Sequence, residues 1–364
     1  MFAVKLYRWY APHPTVVVDP FPVEIDLDVA LNSISVARVV FRDDSVWSIQ
    51  HYDAVLEVLY YPAPSSPVRL FAGFVTERRV IEDTRWYVEL IARSPEILLT
   101  RRVNAYPEDT THRTRFNETG TTRRIDEIIT TLIDFNLRSN ALVANGRAGN
   151  AAMAYTITVD ATIDGWYPRL DCAYQNVWSV IRDLVLKRKG RFWGELTLPV
   201  GTTPTVTFRY RSPSDPLPAA SNTAPVSPRS YSADRVAIQY ANAFKRVVAL
   251  GSGAGNNRPA VAAYPTAYGA VDLDPEETVT LQTTDLAVLQ AYAEEQTSNP
   301  PSFRGIVEIE TPGGPTFVPG VTHPLGCMFT VVAGSVREPV QLIAYRVSQR
   351  EKQSPRWQVQ TRMV

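Results

Sequence analysis

The run from Val68 to Val103, VRLFAGFVTERRVIEDTRWYVELIARSPEILLTRRV, decides how the rest of the chain is read. Leu70, Ala72 and Phe74 alternate with Phe71, Gly73 and Val75; beyond the polar corner Ile81-Glu82-Asp83-Thr84, Trp86, Val88 and Leu90 alternate with Tyr87, Glu89 and Ile91. A period of two on either side of a turn predicts a β-hairpin. Ser94-Pro95-Glu96 then offers a capping hydroxyl, a proline suited to a first helical turn and an acid for its positive end, ahead of Ile97, Leu98 and Leu99. The chain leaves a sheet here and enters a short helix.

Upstream, Phe2 to Tyr10 alternates as a strand. Val16-Val17-Val18 leads through Asp19-Pro20-Phe21-Pro22 into Val23, Ile25, Leu27 and Val29, spaced by Glu24, Asp26 and Asp28. That clean alternation with acids puts one face in water. Ile34, Val36 and Val39-Val40-Phe41 continue the sheet, and Ala54 to Tyr61 adds a strand before the corner Pro62 to Pro67. Six or seven short strands in the first hundred residues have many edges to hide, which predicts a small, closed or nearly closed β-barrel.

Downstream, Asn104 to Gly120 is polar and turn-rich and reads as a connector. Ile125, Ile128, Ile129, Leu132 and Ile133 then mark one face of a helix introduced by Thr122. After a loop from Asn140 to Asn150 and a strand at Tyr155 to Val159, the stretch Asp171 to Gly190 reads as the longest helix. Tyr174, Val177, Trp178, Ile181, Leu184 and Val185 form its apolar face, Lys187-Arg188-Lys189 sit at its negative end, and Gly190 supplies a left-handed stop. Arg191 to Leu198 and Thr205 to Tyr210 follow as two strands. Arg211 to Ala233, with Pro213, Pro216, Pro218, Pro225 and Pro228, reads as an extended, exposed linker outside either core. Strands at Val236 to Tyr240, Arg246 to Leu250, Gly305 to Glu310, Cys327 to Val332, Val340 to Val347 and Trp357 to Thr361 make a second β region. Within it Asp285 to Gln296 is a short helix with Leu286, Leu289 and Ala293 inward. The expected boundaries are therefore 1–103 for a first β domain, 104–210 for an α+β middle domain, 211–233 for the linker and 234–364 for a second β domain.

A chain of 364 residues suggests two or three domains and can fold without staples. Lys plus Arg and Asp plus Glu number 37 each, so no overall field draws the chain to nucleic acid or to an anionic membrane. Cys172 and Cys327 could form one disulfide or none, and buried free thiols are the plainer reading. The first residues lack the basic start and apolar run of a signal peptide, and no segment approaches 18 uninterrupted apolar residues, so the expected product is soluble and made inside a cell. The 28 prolines, 17 tyrosines and 7 tryptophans suit a β-rich protein with many turns.

The chemistry-bearing motifs read as structure. Gly251-Ser252-Gly253-Ala254-Gly255 follows a strand, but Asn256-Asn257-Arg258-Pro259 stands where a phosphate-binding helix would begin, which makes it a loop tip. His13, His51, His112 and His323 are scattered without metal spacing. The acid pairs Asp43-Asp44, Glu82-Asp83 and Glu276-Glu277 fall at strand corners. Arg101-Arg102, Arg123-Arg124 and Lys187-Arg188-Lys189 are basic runs without the interleaved aromatics of a single-strand platform. Trp86 and Trp178 lie on predicted apolar faces, which favours core over ligand. The expectation is no catalytic, cofactor-binding or metal-binding residues, no cofactor and no enzyme activity.

The order of features around the opening hairpin resembles the first domain of tail hub proteins of long-tailed bacteriophages: an apolar strand with a central glycine, a Thr/Glu/Arg-rich turn, a second strand, a Leu-Leu helix and an Arg-Arg pair. The resemblance covers the first two domains best. It implies a β-rich α+β fold in which two small tube-like β-barrel domains flank the α+β middle domain. It further implies a homotrimeric ring joining the six-fold tail tube to a three-fold tail tip or baseplate and lining the DNA channel. Its partners would be distal tail or tail tube proteins, the tape-measure protein and tail-tip fibre or spike proteins, with no specific nucleic-acid binding and no stable membrane insertion. The virion tail tip would be its location. A neighbouring distal tail ring protein and a β-rich receptor- or carbohydrate-binding adhesin are the alternatives.

Overall fold

The computed structural model describes residues 2–8, 15–18, 22–42, 54–62, 67–82, 86–110, 113–117, 123–153, 155–167, 169–198, 205–230, 232–240, 246–253, 258–263, 276–281, 284–298, 305–312, 316–350 and 353–363. The opening hairpin is formed by β6 (Val68–Glu82) and β7 (Trp86–Arg93). Its register shifts between Val75 and Glu77, so Thr76 is the extra residue of a bulge, and its hydroxyl donates to Ile91 O at 3.2 Å. Gly73 is required by proximity: a Cβ there would lie 2.3 Å from the Arg93 carbonyl oxygen. The hairpin's outer end is wet, and Trp86, placed in a core by its alternation, is instead 53% exposed.

Five more strands complete the N-terminal set: β1 (Phe2–Arg8), β2 (Thr15–Val18), β3 (Pro22–Ala30), β4 (Val36–Phe41) and β5 (Ala54–Tyr60). The expected face assignment of β3 holds, with Ile25, Leu27 and Val29 buried. From the other end of the chain come β13 (Arg235–Tyr240), β17 (Gly305–Thr311), β18 (Met328–Ala333), β19 (Val336–Arg350) and β20 (Arg356–Met363). Among the described residues these strands form a single twelve-stranded sheet in the order β13-β17-β20-β19-β3-β4-β7-β6-β5-β1-β2, with β18 paired to β19. The joint is β19 with β3, antiparallel, Tyr345 opposite Val29 and Val347 opposite Leu27. The first seven strands thus do not close on themselves: β3 gives its free edge to β19.

The sheet curls. Trp357 of β20 packs its ring 6.2 Å from Phe2 of β1 and 5.8 Å from Tyr60 of β5, strands remote from it in the sheet order. The two sets of strands accordingly share one core, in which Leu27, Val39, Leu56, Leu90, Val307, Leu342 and Trp357 are all buried.

The middle of the chain stacks on the outside of that sheet. Tyr7, Val55 and Phe74 point away from the curled core into a second one. This explains why β5 is buried at every position: both its faces are covered. The second core is built by α1 (Ile97–Thr100), α2 (Ile125–Leu137), α3 (Val177–Lys187) and a three-stranded sheet of β9 (Thr156–Ala161), β11 (Arg191–Thr197) and β12 (Thr205–Arg211). β11 and β12 form the expected hairpin, and β9 pairs parallel to β12. The apolar face of α2 is buried as its periodicity requires.

Three expectations are corrected here. The helix assigned to Asp171–Gly190 begins only at Val177 and, at 11 residues, is shorter than the 13 of α2. The residues before it are drawn elsewhere: Asp171 sits in β10 (Leu170–Asp171) against β8 (Arg115–Phe116), Cys172 N donates to Thr114 O at 2.8 Å, and Tyr174 has φ 56°. Asn176 then caps the helix by accepting from Ser179 N at 3.2 Å. The left-handed residue at its far end is Lys189 and not Gly190, which lacks a side chain because Tyr210 Cε2 would stand 2.8 Å from its Cβ. The described parts of the supposed connector, 104–110 and 113–117, are partly buried structure. Asn104 donates to Arg113 O at 2.8 Å and accepts from Asn136 Nδ2 at 3.0 Å, while Tyr106 donates to Phe135 O at 2.7 Å.

The proline-rich stretch is exposed over much of its length, as expected, but is packed toward its end. Val226 and Ala233 lie in the shared core, and Val226 N donates to Thr330 O while its carbonyl accepts from Val332 N, both at 2.9 Å. Those bonds overturn the expectation of a segment outside either core. A satellite sheet holds β14 (Arg246–Leu250) between antiparallel β15 (Ala260–Ala263) and parallel β16 (Glu276–Thr280), covered by α4 (Leu286–Ser298). Leu289 and Ala293 face inward as expected, but Leu286 is 56% exposed at the first turn of the helix. Glu276 and Glu277, read as a corner, begin β16.

Both cysteines are free and buried, one in each of the two large cores, and burial pushes each thiol up to about 12. Thiol titration is expected to count two sulfhydryls in denaturant and none in the native protein. A native count of two would mean that the cores are open to solvent.

Candidate functional site

A cavity of about 360 Å³ lies where the sheet, the middle unit and the proline-rich strap meet. Its walls come from distant parts of the chain: Ser35 between β3 and β4, Leu70 and Phe71 of β6, Glu96 ahead of α1, Arg191 and Trp193 of β11, Pro218 of the strap, and Tyr345 of β19. The seam around it is closed by hydrogen bonds that sequence periodicity does not reveal. Asn32, at φ 56°, donates through Nδ2 to Gly190 O at 3.0 Å and accepts at Oδ1 from Phe192 N at 2.7 Å. Ser94, expected as a helix cap, accepts at Oγ from Ser35 N at 2.9 Å.

Glu96 is a buried carboxyl strongly changed by its setting. It is 3% exposed, and Oε1 accepts from Gly194 N at 2.8 Å, while Oε2 is buried without a hydrogen bond. Burial pushes its carboxyl up to about 7, against the opposing pull of the Ser94 hydroxyl and nearby amides. Gly194 has no room for a side chain, since its Cβ would stand 2.7 Å from Pro95 Cβ. Arg191, also buried, donates from Nη2 to Pro216 O at 3.1 Å and Asp215 O at 3.3 Å. Burial holds its guanidinium below the ordinary value. These groups knit three parts of the chain together. Glu96, Arg191 and Asn32 escaped the sequence reading, which saw Glu96 only as a dipole partner; the one available signal was Pro95 beside an acid just before an apolar run.

The residues weighed for chemistry fall elsewhere. His323 is a packing residue: its ring meets Phe317 at 4.7 Å and Phe329 at 5.1 Å, Nδ1 lies 2.9 Å from Thr322 Oγ1, and burial pushes it down to about 4. His13, His51, His112, Asp43, Asp44, Asp83 and Trp47 lie outside the described residues. Gly251 to Gly253 lead out of β14 toward β15, as a loop tip would, and Ala254 to Asn257 lie outside the described residues. Trp178 is core, Trp193 donates to Glu195 Oε1 at 2.9 Å, and Trp166 is 58% exposed. Among the described residues no group of three or more His, Cys, Asp or Glu could hold a metal, and no helix is long and apolar enough to cross a membrane.

No protein-family profile matches this sequence, and no curated protein matches it. Solved structures do. The tail protein from Neisseria meningitidis MC58 is similar over 99% of this chain and 96% of its own, at 15% identity and a TM-score of 0.59. The 43 kDa tail protein of prophage MuSo2 from Shewanella oneidensis is similar over 99% and 98%, at 9% identity and a TM-score of 0.58. The E. coli c3393 protein, described as a type VI secretion component similar to T4 tail proteins gp27 and gp5, matches over 99% and 77%, at 8% identity and a TM-score of 0.52. At these identities the likeness is one of fold: a β-rich α+β chain built like tail proteins of phages and prophages.

Proposed function

We propose that this chain is a structural component of a phage tail tip or baseplate, and within it the hub that joins the six-fold tail tube to a three-fold tip. The observation that carries the reading is the end-to-end match to tail proteins, 99% of this chain on 96% of another. The stretches 1–103, 104–210 and 234–364 are the units of the same reading, the first and last joined in one sheet and 211–233 packed on their shared core at Val226 and Ala233. The strand sets β1–β7 and β13, β17–β20 stand side by side across the β3–β19 joint, as neighbouring segments of a ring wall would. Each chain brings two such segments, so three chains bring six. The outer strands β2 and β13 end the sheet among the described residues and offer edges on which copies can pair. The chain is then a virion protein and not an enzyme, without cofactor, specific nucleic-acid affinity or stable membrane insertion. Its partners are itself, tail tube or distal tail proteins, the tape-measure protein and tip fibres or spikes.

The exposed rings of Trp86 and Trp166 favour a second reading, a carbohydrate- or receptor-binding tail adhesin, because exposed indoles make stacking platforms. A reconstruction of the particle distinguishes the two. Three copies around a central channel, with β2 and β13 at contacts between copies, are expected. One copy, or a peripheral position at large radius, favours the adhesin, and six copies favour the distal tail ring.

A further inference from the structure

The segment 101–106 and the loop 142–149 are laced together by arginines. Ala148 N donates to Ala105 O at 2.8 Å, and Arg147 donates from Nη2 to Val103 O at 3.2 Å and from Nη1 to Gly149 O. Arg102 reaches Arg101 O and Ala151 O, both at 3.4 Å. Arg113 donates to Asn145 O and lies 4.6 Å from the centre of the Phe135 ring. All three guanidiniums are thus tied to main-chain oxygens, and the Nε atoms of Arg102 and Arg147 are buried with no hydrogen bond. Arg102 is held below its ordinary pKa by burial and then by Arg147 and Arg101, so like charges crowd here. Asp134 on the adjacent helix is engaged by Arg138 at 3.2 Å and Asn140 at 2.7 Å.

Other arginines of the same unit find carboxylates: Arg124 pairs with Asp126 at 3.0 Å, Arg211 with Asp160 at 2.8 Å and Arg188 with Asp164 at 3.4 Å. Arg191 is tied to main-chain oxygens in a similar way, but singly. Here three guanidiniums gather with no carboxylate among the described residues bonded to any of them, which leaves a positive patch that an external anion would balance. The surroundings choose the anion. Val103 and Val143 stand exposed beside the arginines, Tyr106 is buried and offers no face for a base, and Glu108 and Asp109 are exposed on the following turn. Duplex DNA carries a charge about every 1.7 Å and would meet those acids along its track. A short segment with one or two carboxylates between apolar residues matches the guanidinium charge and the exposed valines over a footprint of a few residues.

We propose that the face formed by Arg102, Arg113 and Arg147, flanked by Val103 and Val143, receives an acidic, partly apolar segment of a neighbouring protein. The probe is a fluorescein-labelled peptide alternating glutamate with leucine, titrated by anisotropy against the full chain. Salt-sensitive binding is expected, weakened about tenfold or more by the double substitution Arg102→Gln and Arg147→Gln. Arg102→Lys with Arg147→Lys keeps the charge and is expected to retain part of the affinity, separating loss of charge from loss of fold; thermal melts check that both variants fold. No binding by the native chain, or equal binding by the Gln variant, overturns the proposal. So does tighter binding of a duplex DNA that the same variant abolishes, which would make the face a nucleic-acid surface. The test does not depend on the hub reading, because it uses the isolated chain.

Discussion

Trp357→Ala is expected to destabilise the protein by about 3 to 5 kcal/mol, the cost of emptying a large, fully buried aromatic site. Trp357 is 1% exposed and touches three aromatic rings: Phe2 and Tyr60, from the first strands, and Tyr345, from the adjacent β19, at 5.8 Å. Its indole Nε1 is buried with no hydrogen bond, so Trp357→Phe removes an unsatisfied donor as well as volume and is expected to cost far less. Urea denaturation followed by near- and far-ultraviolet circular dichroism measures both. Because the cavity would open between strands from both ends of the chain, the alanine variant should lower the midpoint for the whole sheet in one transition. A variant in which the C-terminal strands melt early while the N-terminal set keeps its native midpoint would show two independent cores and refute the shared one.

That shared core marks where the letters stop being informative. The hairpin β6–β7, the buried face of α2 and the strands β11 and β12 were legible because each is a local period of two or 3.6, visible within a dozen residues. Pairing of β19 with β3 joins Tyr345 to Val29 across most of the chain, and no local pattern carries a partner's identity. The same holds for buried polar residues. Asn104 reads as a turn residue in NAYPEDTTHRTRF, yet it is fully buried because Arg113 O, Cys172 O and Asn136 Nδ2 satisfy it. The start of α3 was misread because Tyr174 fits the apolar face by spacing while its backbone is left-handed. Proline content, which reads as extension at 211–233, could not say that Val226 would bond to both sides of Val331 along β18. The seam cavity is the extreme case, since its lining residues come from seven separate stretches of sequence.

Glu96 should make stability fall as pH rises toward neutrality. Its carboxyl titrates at about 7 in the folded protein against an ordinary value of 4.5, so the native state holds the proton more tightly than the unfolded chain does. The contribution is fully present below about pH 4.5, declines between there and about pH 7, and is lost above. A displacement of that size corresponds to about 3 kcal/mol. The cause is geometric: a carboxylate sealed between Pro95 and β11, with one oxygen on the Gly194 amide and the other without a hydrogen bond, carries its charge in a poorly solvated place. Glu96→Gln keeps the shape and the acceptor for Gly194 N while removing the charge. It is expected to match the native protein at pH 5, to exceed it at pH 8, and to flatten the dependence between. Glu96→Ala orphans the buried Gly194 amide and is expected to be less stable than the Gln variant at both values. Denaturant titrations of the three proteins at pH 5, 6, 7 and 8 decide the matter, and a Gln variant with the native slope would assign the pH dependence to another group. Since the bond from Gly194 ties β11 to Glu96 at the start of α1, proteolysis at that contact should quicken over the same interval in the native protein and not in the Gln variant.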